Sequence, residues 1–379
     1  MKITKLDING FKNLKNVNIT FDPQLNIFSG ENAQGKTNII EAIWIMSGCK
    51  SFRGTKEKDM IDINGKMAEV NLSFKNNLRE QSISYSIQKN YLKDKQITLN
   101  GVKLKYLSKL FGNLKCVIFT PEDLELSKGS PDKRRSYIDL CISQIKPGYF
   151  SVINKYEALL MQRNNLLKKI NMGISQADEI EVWDEQLARM GSYITLLRYS
   201  YIKKLDVFSR KLYDEISMNK EILELSYNST VFKKIEGRTD YKGEMAEEYL
   251  SLMKKNLKDD LKFGFSQVGI HRDDLITKLN NFPSREFGSQ GQQRSIALIL
   301  KLAQAYILLE ETDDAPVILL DDVLSELDEN RQKFILSSIK EMQVIITSCN
   351  DLDKNINIKK KGKNFIVSGG MVSQKKQRK

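Results

Sequence analysis

Apolar and polar residues alternate along most of the first third of the chain, which is typical of β-strands with one buried face. The alternating patterns cover residues 2–8, 17–21, 68–74 and 81–87, and residues 25–28 form a short apolar run that also predicts a strand. A period of two places successive side chains on opposite faces of a sheet. Residues 38–46, by contrast, are apolar on nearly every side, which predicts a buried helix. We therefore expect a sheet that packs on a buried helix.

The pattern becomes helical from about residue 122 to about residue 258. Apolar residues keep near-heptad spacing over 152–170 and 183–208, and a polar turn separates the two segments. This predicts an antiparallel helical hairpin near 151–210, with a first helix ~30 Å long at ~1.5 Å per residue. Arg163 interrupts the apolar spacing, which favours a packed arm over an extended coiled coil.

Strand and loop patterns return from residue 262 onward. A helix is predicted near 290–311 and another around 330–341, with strands at 317–320 and 343–347. The chain is therefore expected to form one discontinuous α/β domain, residues 1–120 plus 262–379. Residues 121–261 are expected to form a helical domain inserted into it.

A phosphate-binding loop is predicted directly after the third strand. Residues 30–37 fit the pattern G-x-x-x-x-G-K-[ST] at every fixed position, between an apolar strand and the buried helix. Lys36 is expected to reach the β- and γ-phosphates, and the Thr37 hydroxyl to bind Mg²⁺. The alternative is a glycine-containing turn before a core helix. The predicted nucleotide-binding residues are Gly30, Glu31, Asn32, Ala33, Gln34, Gly35, Lys36, Thr37 and Asn38.

Two carboxylates follow a fully apolar strand late in the chain. Residues 315–320 are followed by Asp321 and Asp322. A buried strand that ends in an acid is what a Mg²⁺-nucleotide site requires. Asp321 is expected to bind the metal, directly or through water, and Asp322 to polarise the attacking water. Alternatively, the paired aspartates only end the strand and cap the following loop.

A second candidate anion site precedes this strand. Small and amide residues open a helix there, and a helix N-terminus favours bound anions. One ATP does not need two such sites from one chain. This predicts a dimer in which Lys36 of one protomer and Ser289 of the other bind the same γ-phosphate; the alternative is an ordinary helix cap. The residues are Ser289, Gln290, Gly291, Gln292 and Gln293.

Composition and charge narrow the class of partner. The chain has 60 Lys plus Arg against 48 Asp plus Glu, a formal net charge of +12. This favours a polyanion, nucleic acid before an anionic membrane, unless the basic surface is merely solvated. The four cysteines lack C-x-x-C spacing, which argues against a disulfide framework or a zinc site. No signal peptide pattern and no apolar run of ~20 residues is found, which predicts a soluble cytoplasmic protein without a membrane partner.

The order of these motifs resembles the ABC-type ATPases of DNA repair and chromosome maintenance, which include SMC proteins and the RecF family. Those proteins share a phosphate loop, a helical insertion, an S-x-G-Q-type signature, a Walker B strand, a D-loop and a switch strand. This chain has all six in order. Three strings, and the short insertion, narrow the resemblance to RecF over essentially the whole chain: residues 30–38, residues 119–124 with Arg134 and Arg135 downstream, and residues 269–275.

The resemblance implies an α/β fold, namely an ABC-type P-loop ATPase head of mixed sheets around the P-loop helix, with an inserted α-helical arm. It implies a DNA-binding ATPase that dimerises with ATP at double-stranded DNA and single-strand/double-strand junctions, and that works with RecR and RecO to promote RecA loading. It adds Lys12 and Asn13 to the nucleotide-binding set, and it makes Ser325 and Asp328 part of the D-loop.

The chain departs from the family pattern at several positions. Lys12 replaces the usual Arg, which keeps the charge but loses the planar fork, and Ile270 replaces the usual Pro. The switch strand ends at Thr347 rather than at the His of ABC transporters, and Asp322 rather than Glu is the expected catalytic acid. We therefore expect a weak ATPase whose slow hydrolysis acts as a release timer.

Two other functions remain open at this point. The chain could be the ATPase subunit of another machine, a transporter or an SMC-like complex, or a scaffold in which ATP only locks a dimer. The role of His271, the only histidine, is also open. Structural hydrogen bonding is expected ahead of general-base chemistry.

Overall fold

The computed structural model describes residues 1–89, 95–349 and 362–375. These residues form two compact units. Unit 1 consists of Met1–Asp123 and Ser295–Lys379, and unit 2 consists of Leu124–Arg294.

The strands and helices are numbered in chain order. The strands are β1 Lys2–Asn9, β2 Val17–Thr20, β3 Leu25–Ser29, β4 Met67–Lys75, β5 Glu80–Gln88, β6 Gln96–Leu99, β7 Val102–Leu104, β8 Cys116–Phe119, β9 Leu223–Asn228, β10 Asp274–Leu279, β11 Phe282–Pro283, β12 Val317–Asp321, β13 Val344–Ser348, β14 Lys363–Ser368 and β15 Met371–Gln374. The helices are α1 Lys36–Met46, α2 Glu125–Lys128, α3 Pro131–Ile145, α4 Pro147–Asn171, α5 Glu181–Ser217, α6 Glu244–Phe263, α7 Ser284–Phe287, α8 Gln290–Thr312 and α9 Glu329–Ser338.

Unit 1 contains an antiparallel sheet with the strand order β2-β1-β4-β5-β6-β7. Buried and more exposed residues alternate along β4 and β5. This burial pattern is the one that a sheet with a single core-facing side produces. The alternation seen in the sequence therefore reflects which face of each strand packs inward.

The second sheet of unit 1 has the order β15-β14-β3-β13-β12-β8. All neighbouring pairs are parallel except β14 with β15. Every residue of β8, β12 and β13 is buried. Parallel strands that are covered on both faces read as continuous apolar runs rather than as alternating ones, which explains the composition of these three strands.

Helix α1 lies between the two sheets. It packs against β12 and β13 of the parallel sheet and against β4 and β5 of the antiparallel sheet. Its residues Ile39 to Met46 are all at most 3% exposed. A helix that is apolar nearly all round is stable only in such a position. Mixed sheets around a buried helix are thus the architecture that the family resemblance implied.

Unit 2 is built mainly from three long helices. Helices α4, α5 and α6 all pack against one another, so the predicted antiparallel hairpin acquires a third helix. Helix α4 has 25 residues, which corresponds to ~38 Å at ~1.5 Å per residue and exceeds the predicted ~30 Å. The prediction began too late because Pro147 was not recognised as a first-turn residue, a position where proline is favourable.

A buried arginine ties the three helices of unit 2 together. Arg163 is fully buried, and its Nε donates to Asp184 Oδ1 at 2.5 Å. Its Nη1 donates to Asp260 Oδ2 and to Ser266 Oγ, both at 2.7 Å. A buried charge needs partners of this kind. The residue that interrupts the apolar spacing is therefore the polar centre of a packed bundle.

Residues 262–294 belong to unit 2, whereas the sequence analysis assigned them to the α/β domain. The reason is strand pairing: β10 pairs antiparallel with β9 over six residue pairs, from Asp274↔Asn228 to Leu279↔Leu223. In addition, Arg134 of α3 donates to both oxygens of Asp274 at 2.8 and 2.7 Å. A pairing between segments so far apart in the chain leaves no local sequence signal.

Among the helices of the described residues, none combines the length and the apolar character that a bilayer crossing requires.

The single histidine lies in unit 2 and makes a structural contact. Its Nε2 is 3.3 Å from the carbonyl oxygen of Ser266. Burial lowers the pKa of His271 to about 4; the contact with the Ser266 carbonyl raises it, and the charges of Arg272, Arg135 and Arg163 lower it further. A neutral imidazole that donates to a backbone carbonyl oxygen fits a structural role.

We expect His271 to make folding pH-dependent. An unfolded histidine has a pKa of ~6.5, so the folded chain binds this proton less tightly than the unfolded chain. The stability that His271 contributes is therefore complete above pH ~6.5 and is lost as the pH falls towards 4, a total of about 3 kcal/mol. Glutamine can keep the contact with Ser266 without titrating. The unfolding free energies of the wild type and His271→Gln should therefore diverge only below pH ~6.5. A His271 pKa near 6.5, measured by nuclear magnetic resonance on the folded protein, would contradict the assignment.

Candidate nucleotide-binding site

The loop between β3 and α1 has the backbone of a phosphate cradle. Ala33 and Gly35 have φ of 62° and 113°, in the left-handed region. A β-carbon on Gly30 would lie 2.3 Å from the carbonyl oxygen of Val367 in β14. The first glycine is therefore needed for the close approach of a neighbouring strand, and Gly35 for the turn into α1. The loop ends at the helix N-terminus, where backbone N–H groups favour an anion.

The Lys36 side chain folds back over this loop. Its Nζ donates to the carbonyl oxygens of Gly30 at 2.7 Å and Glu31 at 2.8 Å. Lys36 is 6% exposed. The ammonium group is therefore fixed at the mouth of the loop, where it can contact the outer phosphates of a bound nucleotide.

The Asp321 carboxylate lies beside the first turn of α1. Its Oδ1 accepts a hydrogen bond from Thr37 Oγ1 at 3.0 Å and another from Thr347 Oγ1 at 2.7 Å. Burial raises the pKa of Asp321, and the two hydroxyl hydrogen bonds oppose that rise. A hydroxyl and a carboxylate next to a phosphate loop are oxygen ligands of the kind that Mg²⁺ takes in such sites. These two residues therefore fit Mg²⁺.

Asp322 directly follows the end of β12 and has a φ of 54°, in the left-handed region, so the chain turns there. Its N–H donates to Thr347 Oγ1 at 3.1 Å, and Ser325 Oγ donates to its carbonyl oxygen at 2.7 Å. One threonine hydroxyl thus orients both aspartates.

Cys349 links Asp322 to the phosphate loop, and the sequence analysis did not identify it. Its Sγ lies 3.0 Å from Asp322 Oδ2 and 2.7 Å from Asn32 Oδ1. Burial raises the pKa of Cys349, as does the neighbouring Asp322 carboxylate, so the thiol stays protonated and can donate. No local pattern in the sequence indicates this contact. It follows from the strand register, because Cys349 comes directly after β13, and Ser348 of β13 pairs with Ser29 at the end of β3.

Side chains outside the loop support it. Asn38 Nδ2 donates to Asn13 Oδ1 at 2.7 Å, and Asn13 Nδ2 lies 3.4 Å from the Ala33 carbonyl oxygen. The turn between β14 and β15 also contributes, since the N–H groups of Gly369 and Gly370 donate to Gln34, at 2.6 Å to Oε1 and 3.1 Å to its carbonyl oxygen respectively.

Lys12 is paired within the protein. Its Nζ forms an ion pair with Glu41 and lies 3.0 Å from Thr55 Oγ1, while Ser51 Oγ donates to Glu41 Oε1 at 2.5 Å. Glu41 is fully buried in α1. The sequence analysis missed Glu41, although a carboxylate within an otherwise apolar helix is a signal for a buried ion pair.

The residues of the predicted second anion site, Ser289 to Gln293, belong to unit 2. The rest of helix α8, from Ser295 onward, belongs to unit 1. Ser289 and Gln292 form a reciprocal cap at the start of α8: Ser289 N donates to Gln292 Oε1 at 2.7 Å, and Gln292 N donates to Ser289 Oγ at 3.2 Å. Ser289 and Gln290 are exposed, and Gly291, Gln292 and Gln293 are half-buried. The string is therefore a helix cap that is also open to an external ligand.

The predicted D-loop residues have local roles in the structure. Ser325 contacts the Asp322 carbonyl oxygen, as described above. The Asp328 side chain caps α9, where it accepts from the N–H groups of Asn330 at 3.1 Å and Arg331 at 3.0 Å. Arg331 also pairs with the Asp328 carboxylate, and its Nε donates to Ser295 Oγ at 2.9 Å.

Comparison with known proteins assigns the family. The sequence profile described as "RecF/RecN/SMC N terminal domain" matches residues 2–363. The chain is 40% identical over 376 residues to the "DNA replication and repair protein RecF" of Clostridium tetani, across 98% of this chain and 99% of that protein.

Solved structures agree with this assignment. The chain is 36% identical to the "recombination mediator protein RecF-ATPrS in RecFOR pathway", with a TM-score of 0.90 over 98% of this chain and 97% of that one. It is 37% identical to the corresponding RecF-ATP structure, with a TM-score of 0.89 over 99% and 98% of the two chains. The predicted ABC-type ATPase fold with an inserted helical region is thereby confirmed. The chain belongs to the RecF family, within the RecF/RecN/SMC group of ATPase folds.

Proposed function

We propose that this chain is an ATP-dependent DNA-binding protein of recombinational repair, which dimerises when it binds ATP and Mg²⁺. The observation that carries this proposal is the contact between Thr37 and Asp321, which brings a metal-binding carboxylate to the phosphate loop. That a similar structure is described as RecF-ATP supports ATP as the nucleotide.

In the proposed site, each side chain has one task. Lys36 binds the β- and γ-phosphates, and the loop from Gly30 to Asn38, supported by Asn13 and Lys12, encloses the triphosphate. Thr37 and Asp321 bind Mg²⁺, which supplies charge neutralisation at the phosphates. Asp322 orients the attacking water. The Asp322 side chain is shorter than that of glutamate, and its carboxylate accepts a hydrogen bond from the Cys349 thiol. We therefore infer slow hydrolysis.

The exposed cap at α8 supports a composite site between two protomers. Ser289 Oγ accepts a hydrogen bond within the cap, which leaves its hydroxyl proton able to donate to an anion. We infer that Ser289 to Gln293 of one protomer contact the γ-phosphate bound by Lys36 of the other, and that Ser325 and Asp328 lie at the same interface. ATP binding then closes the dimer, and hydrolysis releases it.

DNA is the partner that the net charge of +12 supports best. Contacts from basic side chains to phosphates give little sequence preference and strong salt dependence. Double-stranded DNA and single-strand/double-strand junctions are the proposed ligands, and RecR, RecO and RecA the proposed protein partners, in the cytoplasm. Similar chains described as part of a RecFOR pathway favour this function over a transporter subunit.

We expect Lys36→Ala to abolish ATP-dependent dimerisation. The variant loses the ammonium group that the γ-phosphate requires, while a loop of backbone N–H groups remains. Sedimentation velocity with and without ATP measures the effect. The exposed Lys75→Ala is the matched control, because it removes the same charge at a distant strand end. ATP-dependent dimers of Lys36→Ala would contradict the proposal.

We also expect Gly370→Ala to weaken ATP binding by about tenfold, or ~1.4 kcal/mol. Its β-carbon would lie 1.9 Å from the carbonyl oxygen of Asn13, which must then move away from the loop. Gly369→Ala is the control, since Gly369 also has positive φ but opens into free space. Titration with a fluorescent ATP analogue compares the two. Equal affinities would show that Asn13 does not support the nucleotide.

A further inference from the structure

Two phenylalanine rings project from unit 2 where α6 ends. Phe263 is 53% exposed and Phe265 is 42% exposed. Their ring centroids are 6.2 Å apart, with an interplanar angle of 48°. Between them, Gly264 has φ +72°, and its N–H donates to the Asp260 carbonyl oxygen at 2.8 Å. This left-handed helix cap turns the chain so that both neighbouring side chains stay outside the core.

The backbone that carries the rings is fixed by buried polar contacts. Ser266 is 1% exposed, and its Oγ accepts from Arg163 at 2.7 Å while its N–H donates to Asn164 Oδ1 at 2.9 Å. The N–H of Gln267 donates to Asp260 Oδ1 at 2.8 Å. The rings are therefore presented by a rigid segment, and preorganised groups lose little conformational freedom when they bind a ligand.

Each ring also has a cation beside it. Lys262 Nζ is 5.5 Å from the Phe263 centroid, and the Arg272 guanidinium carbon is 5.5 Å from the Phe265 centroid. Arg272 is held in place by a 3.2 Å hydrogen bond from its Nε to the Ser266 carbonyl oxygen. The Lys168 side chain approaches Gly264 from α4. Three cations thus lie beside the rings, namely Lys168, Lys262 and Arg272, which favours an anionic partner over a purely apolar one.

We propose that Phe263 and Phe265, with Lys262 and Arg272, form a platform that stacks unpaired bases of single-stranded DNA. Aromatic rings bind base faces and adjacent cations bind the phosphates, the combination that single-strand binding proteins use. The inference rests on the proposed function as a DNA-binding protein. It assigns the single-stranded side of a gap junction to unit 2.

The spacing of the rings supports unpaired DNA as the occupant. Successive bases of a duplex strand are stacked at ~3.4 Å, so a duplex offers no free base face to a ring inside the stack. Rings 6.2 Å apart can each take a base only where the strand is unpaired and extended. A double helix would contact only the flanking cations.

The test measures the affinity of the full chain for gapped, single-stranded and blunt duplex DNA by fluorescence anisotropy with ATP. The double variant Phe263→Ala/Phe265→Ala should bind gapped and single-stranded DNA about tenfold or more weakly, with duplex affinity unchanged. The double variant Phe263→Trp/Phe265→Trp should bind gapped and single-stranded DNA as tightly as the wild type, because both aromatic rings are kept. The double variant Met161→Ala/Val207→Ala is the control, since it removes apolar groups that are 61% and 65% exposed elsewhere on unit 2.

A second arm of the test replaces the gap nucleotides by abasic ones, which removes the bases and keeps the phosphates. The wild type should lose its preference for the gap on this DNA, and the alanine variant should be indifferent to the change. Unchanged gap binding by the alanine variant, or equal loss on all three DNAs, would overturn the platform. Absence of any wild-type DNA binding would instead overturn the proposed function, so the two failures are distinguishable.

Discussion

The buried Asp321 carboxylate is the group on which the site depends, because it joins three elements at one point. It ends β12, and its Oδ1 accepts hydrogen bonds from Thr37 in the first turn of α1 and from Thr347 at the end of β13. The Thr347 hydroxyl accepts from the Asp322 N–H in turn. The phosphate loop, Asp321 as the proposed metal ligand and Asp322 as the proposed water-orienting acid are therefore placed by one connected set of contacts. Parallel strands make this possible, since their carboxyl ends meet at one edge of the sheet.

The sequence was sufficient wherever the signal is local or the residue type is demanding. The phosphate loop and the apolar strand before Asp321 could be recognised because glycines and buried carboxylates have few other uses in such positions. The hydrophobic pattern predicted one sheet against a buried helix, and the family resemblance implied the mixed sheets around α1. These features depend on residues close together in the chain, which is where pattern reasoning is strongest.

Other features depend on contacts between distant residues and could not be read from the pattern. The pairing of β9 with β10 assigns residues 262–294 to unit 2, and no short-range motif encodes it. Cys349 reaches Asn32 and Asp322 only because β13 lies next to β3 and β12. The Lys12 ammonium pairs with Glu41, a contact that the family resemblance, which implied a role at the nucleotide, did not predict. For Ser289 to Gln293, the sequence analysis treated a helix cap and an anion site as alternatives. The two roles are compatible, because the Ser289 hydroxyl that accepts a hydrogen bond in the cap can still donate one.

The central claim is that two protomers share each nucleotide, and mixing variants tests it most directly. Lys36→Ala and Ser289→Arg each disable both composite sites of a homodimer. A mixed dimer places both defects in one site and leaves the other intact, as two-fold symmetry requires. ATP hydrolysis by each variant alone and by their mixture is the measurement. The account predicts that the mixture hydrolyses ATP while neither variant does so alone; Ser289→Arg activity equal to the wild type, or a mixture no more active than its components, would contradict it.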